Sequence, residues 1–139
     1  SDLEMLQRVA LNVVDEPTIT IWQSFMEEHE AVFAENPDAK DEHSLEATQV
    51  HAEFVAMVEQ QLEGYLAEIG SSTESFFKLV STIEEAGGEE QIQTFLTITL
   101  GAIDFEVFAD IMRSVGKRRY YFQILSMWRK SLAPQLSKK

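Results

Sequence analysis

The sequence has no cysteine, so it can form neither a disulfide nor a thiolate metal site, and it suits a reducing compartment. Prolines number three and glycines six, leaving long stretches with no helix breaker. No uninterrupted apolar run approaches the roughly 18 residues a membrane span needs, and no charged-then-apolar leader opens the chain. Bases are scarce over residues 1–112, where all 24 acids meet only Arg8, Lys40 and Lys78, a balance of −21. Residues 113–139 reverse this with eight bases and no acid, bringing the net charge to −13. A body so negative repels phosphate backbones, which argues against nucleic acid. It would draw in a basic protein surface, or serve only to keep the domain soluble.

What is present is the ordinary globular mixture, 45% hydrophobic and 25% charged, in a chain long enough to bury a core without staples. One domain over residues 1–139 is expected. Ser1 at the start and Ser137-Lys138-Lys139 at the end are expected of a piece of a longer protein, with the cytoplasm as its default location.

Apolar residues recur at helical spacing between clear punctuation marks. Leu3, Leu6, Ala10 and Val13 form a first stripe that ends before Glu16-Pro17. Thr18 can cap a second helix carrying Trp22, Phe25, Met26, Val32 and Phe33. A polar loop from Glu35 to His43 follows. Ser44 then caps a long third helix, whose stripe of Val50, Phe54, Met57, Val58, Leu62, Tyr65, Leu66 and Ile69 is stopped by Gly70. Ser71-Ser72-Thr73-Glu74 has the form of a capping box for a fourth helix with Phe76, Phe77, Leu79, Val80 and Ile83, ending at Gly87-Gly88. A fifth holds Ile92, Phe95, Leu96 and Leu100. Asp104 caps a sixth with Phe105, Phe108, Ile111, Met112 and Val115, closed by Gly116. A last one runs from about Lys117 to Leu132, before Pro134. Thr94–Leu100 alternates weakly, but no strand pattern competes. The fold class is all-α, a compact bundle of six to seven helices.

Catalytic and metal chemistry finds no footing. In the acidic loop no register gives calcium its ligands: counted from Glu35, positions 3, 5 and 6 are Pro37, Ala39 and Lys40; counted from Asn36, position 6 is Asp41 and position 12 is Ala47. His29, His43 and His51 follow no ligand spacing, and Met26, Lys40 and Thr48 stand where a di-iron bundle needs glutamate three residues before each. They read as exposed helix histidines. His51-Ala52-Glu53 has the His-x-Glu form of a zinc deaminase, whose remaining ligands would be cysteines. Nucleophile elbows and phosphate loops are absent. Neither an enzyme, a metal nor a cofactor is expected.

The unusual feature is an apolar surplus. The sixth helix adds Val107 and Ile111 beside its core stripe, and Phe76 and Phe77 are adjacent, so both cannot point straight inward. Either these helices are central and covered on most sides, or they open a groove for a partner's amphipathic helix. The basic segment Lys117–Lys130 is amphipathic too. Such a helix can be a calmodulin target or a membrane-surface element, or it can dock by its aromatic face onto an acidic body.

Val50-His51-Ala52-Glu53-Phe54, then Val58-Glu59, then Leu62-Glu63-Gly64-Tyr65-Leu66-Ala67-Glu68-Ile69-Gly70 resembles the BART-like domain found in binders of Arf-like GTPases. Phe25-Met26-Glu27 and Val32-Phe33 ahead of the acidic loop agree, as do Phe76 six residues after Gly70 and the Asp104-Phe105-x-x-Phe108 segment with Ile111-Met112. The resemblance spans Leu6 to Arg119, and through Glu63-Gly64-Tyr65-Leu66 it is nearest to the cilia- and flagella-associated coiled-coil member. Residues 119–139 stand apart as a basic C-terminal helix.

The resemblance implies a monomeric effector of a GTP-loaded Arf-like GTPase, working in the cytoplasm and at the cilium or flagellum without entering the membrane. It implies a hydrophobic groove for the GTPase's leucine-rich N-terminal helix, lined by Phe76, Phe77, Phe95, Leu96, Phe105, Phe108, Ile111 and Met112. Glu35, Asp38, Asp41, Glu42, Glu106 and Asp110 form its acidic rim. The alternative is a helical scaffold that self-associates or binds another amphipathic helix.

Overall fold

A computed structural model describes residues 2–34 and 45–136, all the elements of which are helices. They are α1 (Asp2–Asn12), α2 (Glu16–His29), α3 (Ala31–Ala34), α4 (Leu45–Glu68), α5 (Thr73–Ala86), α6 (Glu90–Leu100), α7 (Phe105–Arg113) and α8 (Val115–Leu136). These eight replace the six to seven expected. The added element arises where the second helix breaks at Glu30, leaving α3 as a single turn with the Phe33 N–H bonded to the Glu30 carbonyl at 3.1 Å.

The termini show which local signals won. Asp15, not Thr18, caps α2: its carboxylate accepts from the Thr18 N–H at 3.0 Å, and Pro17 takes a first-turn position where no N–H is needed. Ser72, not Ser71, caps α5, accepting from the Ser75 N–H at 3.2 Å. Asp104 caps α7 as expected, accepting from the N–H groups of Glu106 and Val107. That helix stops at Arg113, so Val115 and Gly116 belong to the next one. Ser114 starts α8 instead, accepting from the Lys117 N–H at 3.2 Å. The last helix also runs through Pro134 rather than stopping at Leu132. Proline there gives up the bond to the Lys130 carbonyl and crowds it in the final turn, while Trp128 and Leu132 hold the preceding turn in the core.

At the end of α4, Gly70 adopts φ 74° while the Ser71 N–H reaches the Leu66 carbonyl at 2.8 Å and the Gly70 N–H reaches Ala67 at 3.1 Å. This is a Schellman stop. A Cβ at Gly70 would meet no atom, so the cost of substitution is conformational only. Gly70→Ala is expected to lower stability by about 1–2 kcal/mol, seen as a lower urea midpoint with an unchanged slope.

The β-branched run in α6 stays helical because Thr94, Phe95, Leu96, Ile98 and Thr99 are buried in the core, and the hydroxyls of Thr97 and Thr99 also find backbone partners. Thr97 Oγ1 donates to the Gln93 carbonyl at 2.9 Å and buried Thr99 Oγ1 to the Phe95 carbonyl at 2.7 Å. Central to the bundle is α8, which packs on α6, α1, α7 and α2 and buries Phe122, Leu125, Trp128 and Leu132. On the other side α5 packs on α6, α4 and α1.

Candidate partner-binding surface

The eight residues expected to line a groove go to separate places. Phe76 is enclosed on α5 and Phe77 is half-buried beside it, ring centroids 5.8 Å apart, so the adjacent pair does split between core and surface. Phe95 and Leu96 are enclosed, with Phe95 5.5 Å from the Trp128 ring of α8. Ile111 and Met112 are also enclosed. Phe105 and Phe108 share their surroundings, since both pack on Phe33 and His51. Six of the eight are therefore core side chains that support a surface from behind, while Phe77 and Phe105 reach it.

Around Phe105 the chain assembles an aromatic edge from α3, α4 and α7. The cap at Asp104 puts Phe105 at the first position of α7 and Phe108 one turn further on. Phe108 is fully buried against Phe54 (5.0 Å), His51 (5.0 Å) and Phe33 (5.5 Å). Phe105 lies over the same rings, 6.2 Å from Phe33 and 5.5 Å from His51, and stays partly exposed. The stack continues inward through Phe54 to Trp22 and Phe25, each 6.0 Å away, and His29 lies 4.5 Å from Phe25.

Far from being an exposed helix histidine, His51 is half-buried. Its Nε2 lies 2.9 Å from the Gly101 carbonyl, so Nε2 carries the proton and donates. A methyl group at Gly101 would come within 3.2 Å of the Ile98 carbonyl oxygen and 3.4 Å of Ile111, which explains glycine at this close approach. The turn it opens carries Ile103, 47% exposed, after half-buried Leu100. At the start of α4, Leu45 is 74% exposed. Neither His51 nor Phe33 was among the expected lining residues. The one signal available was a histidine four residues after Ala47 and three before Phe54, inside the buried stripe of α4.

Of the acidic rim, Glu35, Asp38, Asp41 and Glu42 lie outside the described residues, as does the loop tested for calcium. Glu106 and Asp110 are exposed on α7. Asp110 accepts from Lys117 Nζ at 2.6 Å, and this bond holds the Lys117 ammonium above its ordinary pKa. The Glu90 carboxylate accepts from the Tyr120 hydroxyl and raises that phenol likewise. Among the described residues, no three His, Asp or Glu side chains come together to hold a metal ion, and no helix is long and apolar enough to cross a membrane.

The basic helix docks by its apolar face, and two of its arginines go inward with that face. Arg118, 2% exposed, donates to the carbonyls of Ile111 (3.4 Å) and Met112 (3.2 Å) at the end of α7, and pairs with Glu30. Arg129 does the same for α1, donating to the Ala10 and Leu11 carbonyls at 3.0 Å each, with Glu16 at 3.5 Å. Each guanidinium satisfies backbone acceptors that a helix terminus leaves open.

The profile of a family described as the ARF-like 2 binding protein BART matches residues 5–119, from α1 into the first turns of α8. No solved structure matches the chain.

Proposed function

This chain belongs to the family of the ARF-like 2 binding protein BART, and on that premise we propose that it is a non-enzymatic effector module for a GTP-loaded Arf-like small GTPase. Its proposed role is to take the GTPase's leucine-rich amphipathic N-terminal helix against the aromatic edge of Phe105 and His51, continued by Leu100 and Ile103. The observation that carries this reading is Phe105 itself, a large apolar side chain held partly exposed on a floor of buried rings. Work at the cilium or flagellum, and a monomeric state, complete the proposal.

The size of the contact bears on how the GTP state enters. Four buried leucine-type side chains give about 6–12 kcal/mol, against an association cost of about 4–15 kcal/mol. A helix alone therefore binds weakly, and a second contact that senses the nucleotide must add to it. The exposed acids of α7 and α4, Glu106, Glu46 and Glu53, supply attraction for basic groups that salt screens.

Titrating fluorescent GTPase against the domain tests the reading. The GTP-loaded form is expected to bind and the GDP-loaded form to bind much more weakly. Phe105→Ala should weaken binding by tenfold or more, about 1.4 kcal/mol, with unchanged helicity. Equal recovery of both nucleotide forms would instead favour a helical scaffold, and loss from Phe77→Ala rather than Phe105→Ala would move the surface to α5.

A further inference from the structure

Glu30 occupies an unusual place. It is the residue at which α2 gives way to α3, and its carbonyl accepts the Phe33 N–H that closes the single turn of α3. Glu30 keeps helical backbone angles (φ −62°, ψ −31°), so α3 carries the path of α2 on for one turn past the break. A single turn beyond a break takes its support from packing. On the inner side that support is Phe33 against Phe105 and Phe108; on the other it is the Glu30 carboxylate on Arg118. The same guanidinium grips the last carbonyls of α7, the helix that carries Phe105 and Phe108. One buried side chain thus ties the base of α3 to the far end of α7, and the aromatic edge lies between those two helices.

We propose that the Arg118–Glu30 pair is a positioning device for partner binding: it fixes α3 against α7 and so sets where Phe33 holds Phe105 and Phe108, the two rings on which His51 packs. The proposal rests on the aromatic edge being the partner surface. The second arginine provides the control. Arg129 performs the same chemistry on α1, pairing with Glu16 at the start of α2, and touches none of α3, α4 or α7 through its hydrogen bonds.

The experiment compares Glu30→Gln, Arg129→Lys and Phe105→Ala in the whole chain. Two readouts are taken: affinity for a fluorescent, GTP-loaded Arf-like GTPase, and the nuclear magnetic resonance position of the His51 Cε1–H. That proton feels the ring currents of Phe105 and Phe108, so it reports the geometry of the edge whether or not a ligand is present. Glu30→Gln keeps the size and an acceptor but removes the charge. It is expected to shift the His51 resonance and weaken GTPase binding about tenfold, within the range typical of coupling between separate positions. Arg129→Lys is expected to lower the melting temperature and leave both readouts unchanged.

If Phe105→Ala weakens binding and Glu30→Gln does not, the positioning role is overturned and the function stands. If the wild-type chain does not bind the GTP-loaded GTPase, the functional reading falls. The positioning of α3 is then decided by the resonance alone, an unmoved His51 signal overturning it. Should Glu30→Gln fail to fold, Glu30→Asp, which keeps the charge on a shorter arm, is measured in the same way, with the same two outcomes.

Discussion

Replacing Phe108 by alanine is expected to lower stability by about 3–5 kcal/mol, the range for emptying a buried aromatic site. The upper half of that range applies because Phe108 is fully enclosed and its neighbours come from different elements: Phe33 from α3, His51 and Phe54 from α4. Rings anchored on separate helices cannot all move inward to fill the void. Against a total stability of roughly 5–15 kcal/mol, the loss would take away a large share of it. Urea denaturation followed by circular dichroism measures it, and a loss below about 1 kcal/mol, typical of an exposed site, would contradict the enclosed position. Phe105→Ala, one turn earlier and partly exposed, should cost far less. The two phenylalanines therefore separate stability from recognition, and Phe108→Asp, which places a charge among aromatic rings, is of no use as a binding probe.

The sequence presents these two residues alike. Periodicity says which face of a helix is apolar, not what covers it, so Phe105 and Phe108 are equivalent until α3 and α4 are in place. The long stripe of α4 was legible for the same reason: Val50, Phe54, Val58, Leu62 and Leu66 are all buried, with Met57 and Tyr65 at its edge, while Ile69 lies past the last full turn and is exposed. Phe76 beside Phe77 was legible as a conflict, since neighbours on a helix point about 100° apart.

The arginines of α8 were hidden by their charge. Arg118, Phe122, Leu125, Arg129 and Leu132 follow i, i+4, i+7, i+11 and i+14, one continuous inward-facing stripe in which Arg129 is part-buried and the rest are buried. Counting arginine as surface splits that stripe and makes the helix look merely basic. A guanidinium enters a core when helix ends present carbonyls to it, and which helix ends lie near is a matter of tertiary structure. Ser114 as the cap of α8 was missed for a more local reason: Gly116 two residues later looked like the stop of the preceding helix.

The Arg118–Glu30 pair also yields an asymmetric prediction. Side-chain exposure is 2% for Arg118 and 39% for Glu30. Removing Glu30 leaves a buried cation with only two carbonyl partners, one of them at 3.4 Å, so Glu30→Ala is expected to cost about 3–5 kcal/mol. Removing Arg118 lets the carboxylate turn to water. What remains unpaired is mainly the Met112 carbonyl, so Arg118→Met, which keeps length and apolar packing, should cost about 1–3 kcal/mol. The double variant should be little worse than Arg118→Met alone, because no buried charge is left for Glu30 to balance. Thermal and urea unfolding of the four proteins would then give a coupling close to the whole cost of Glu30→Ala, about 3–5 kcal/mol. Costs that simply add, or a larger loss from Arg118→Met than from Glu30→Ala, would mean that Arg118 is held by its carbonyl bonds and that Glu30 is an incidental neighbour. In that case α3 would be set by Phe33 alone, and the route from the end of α2 to the aromatic edge would be broken.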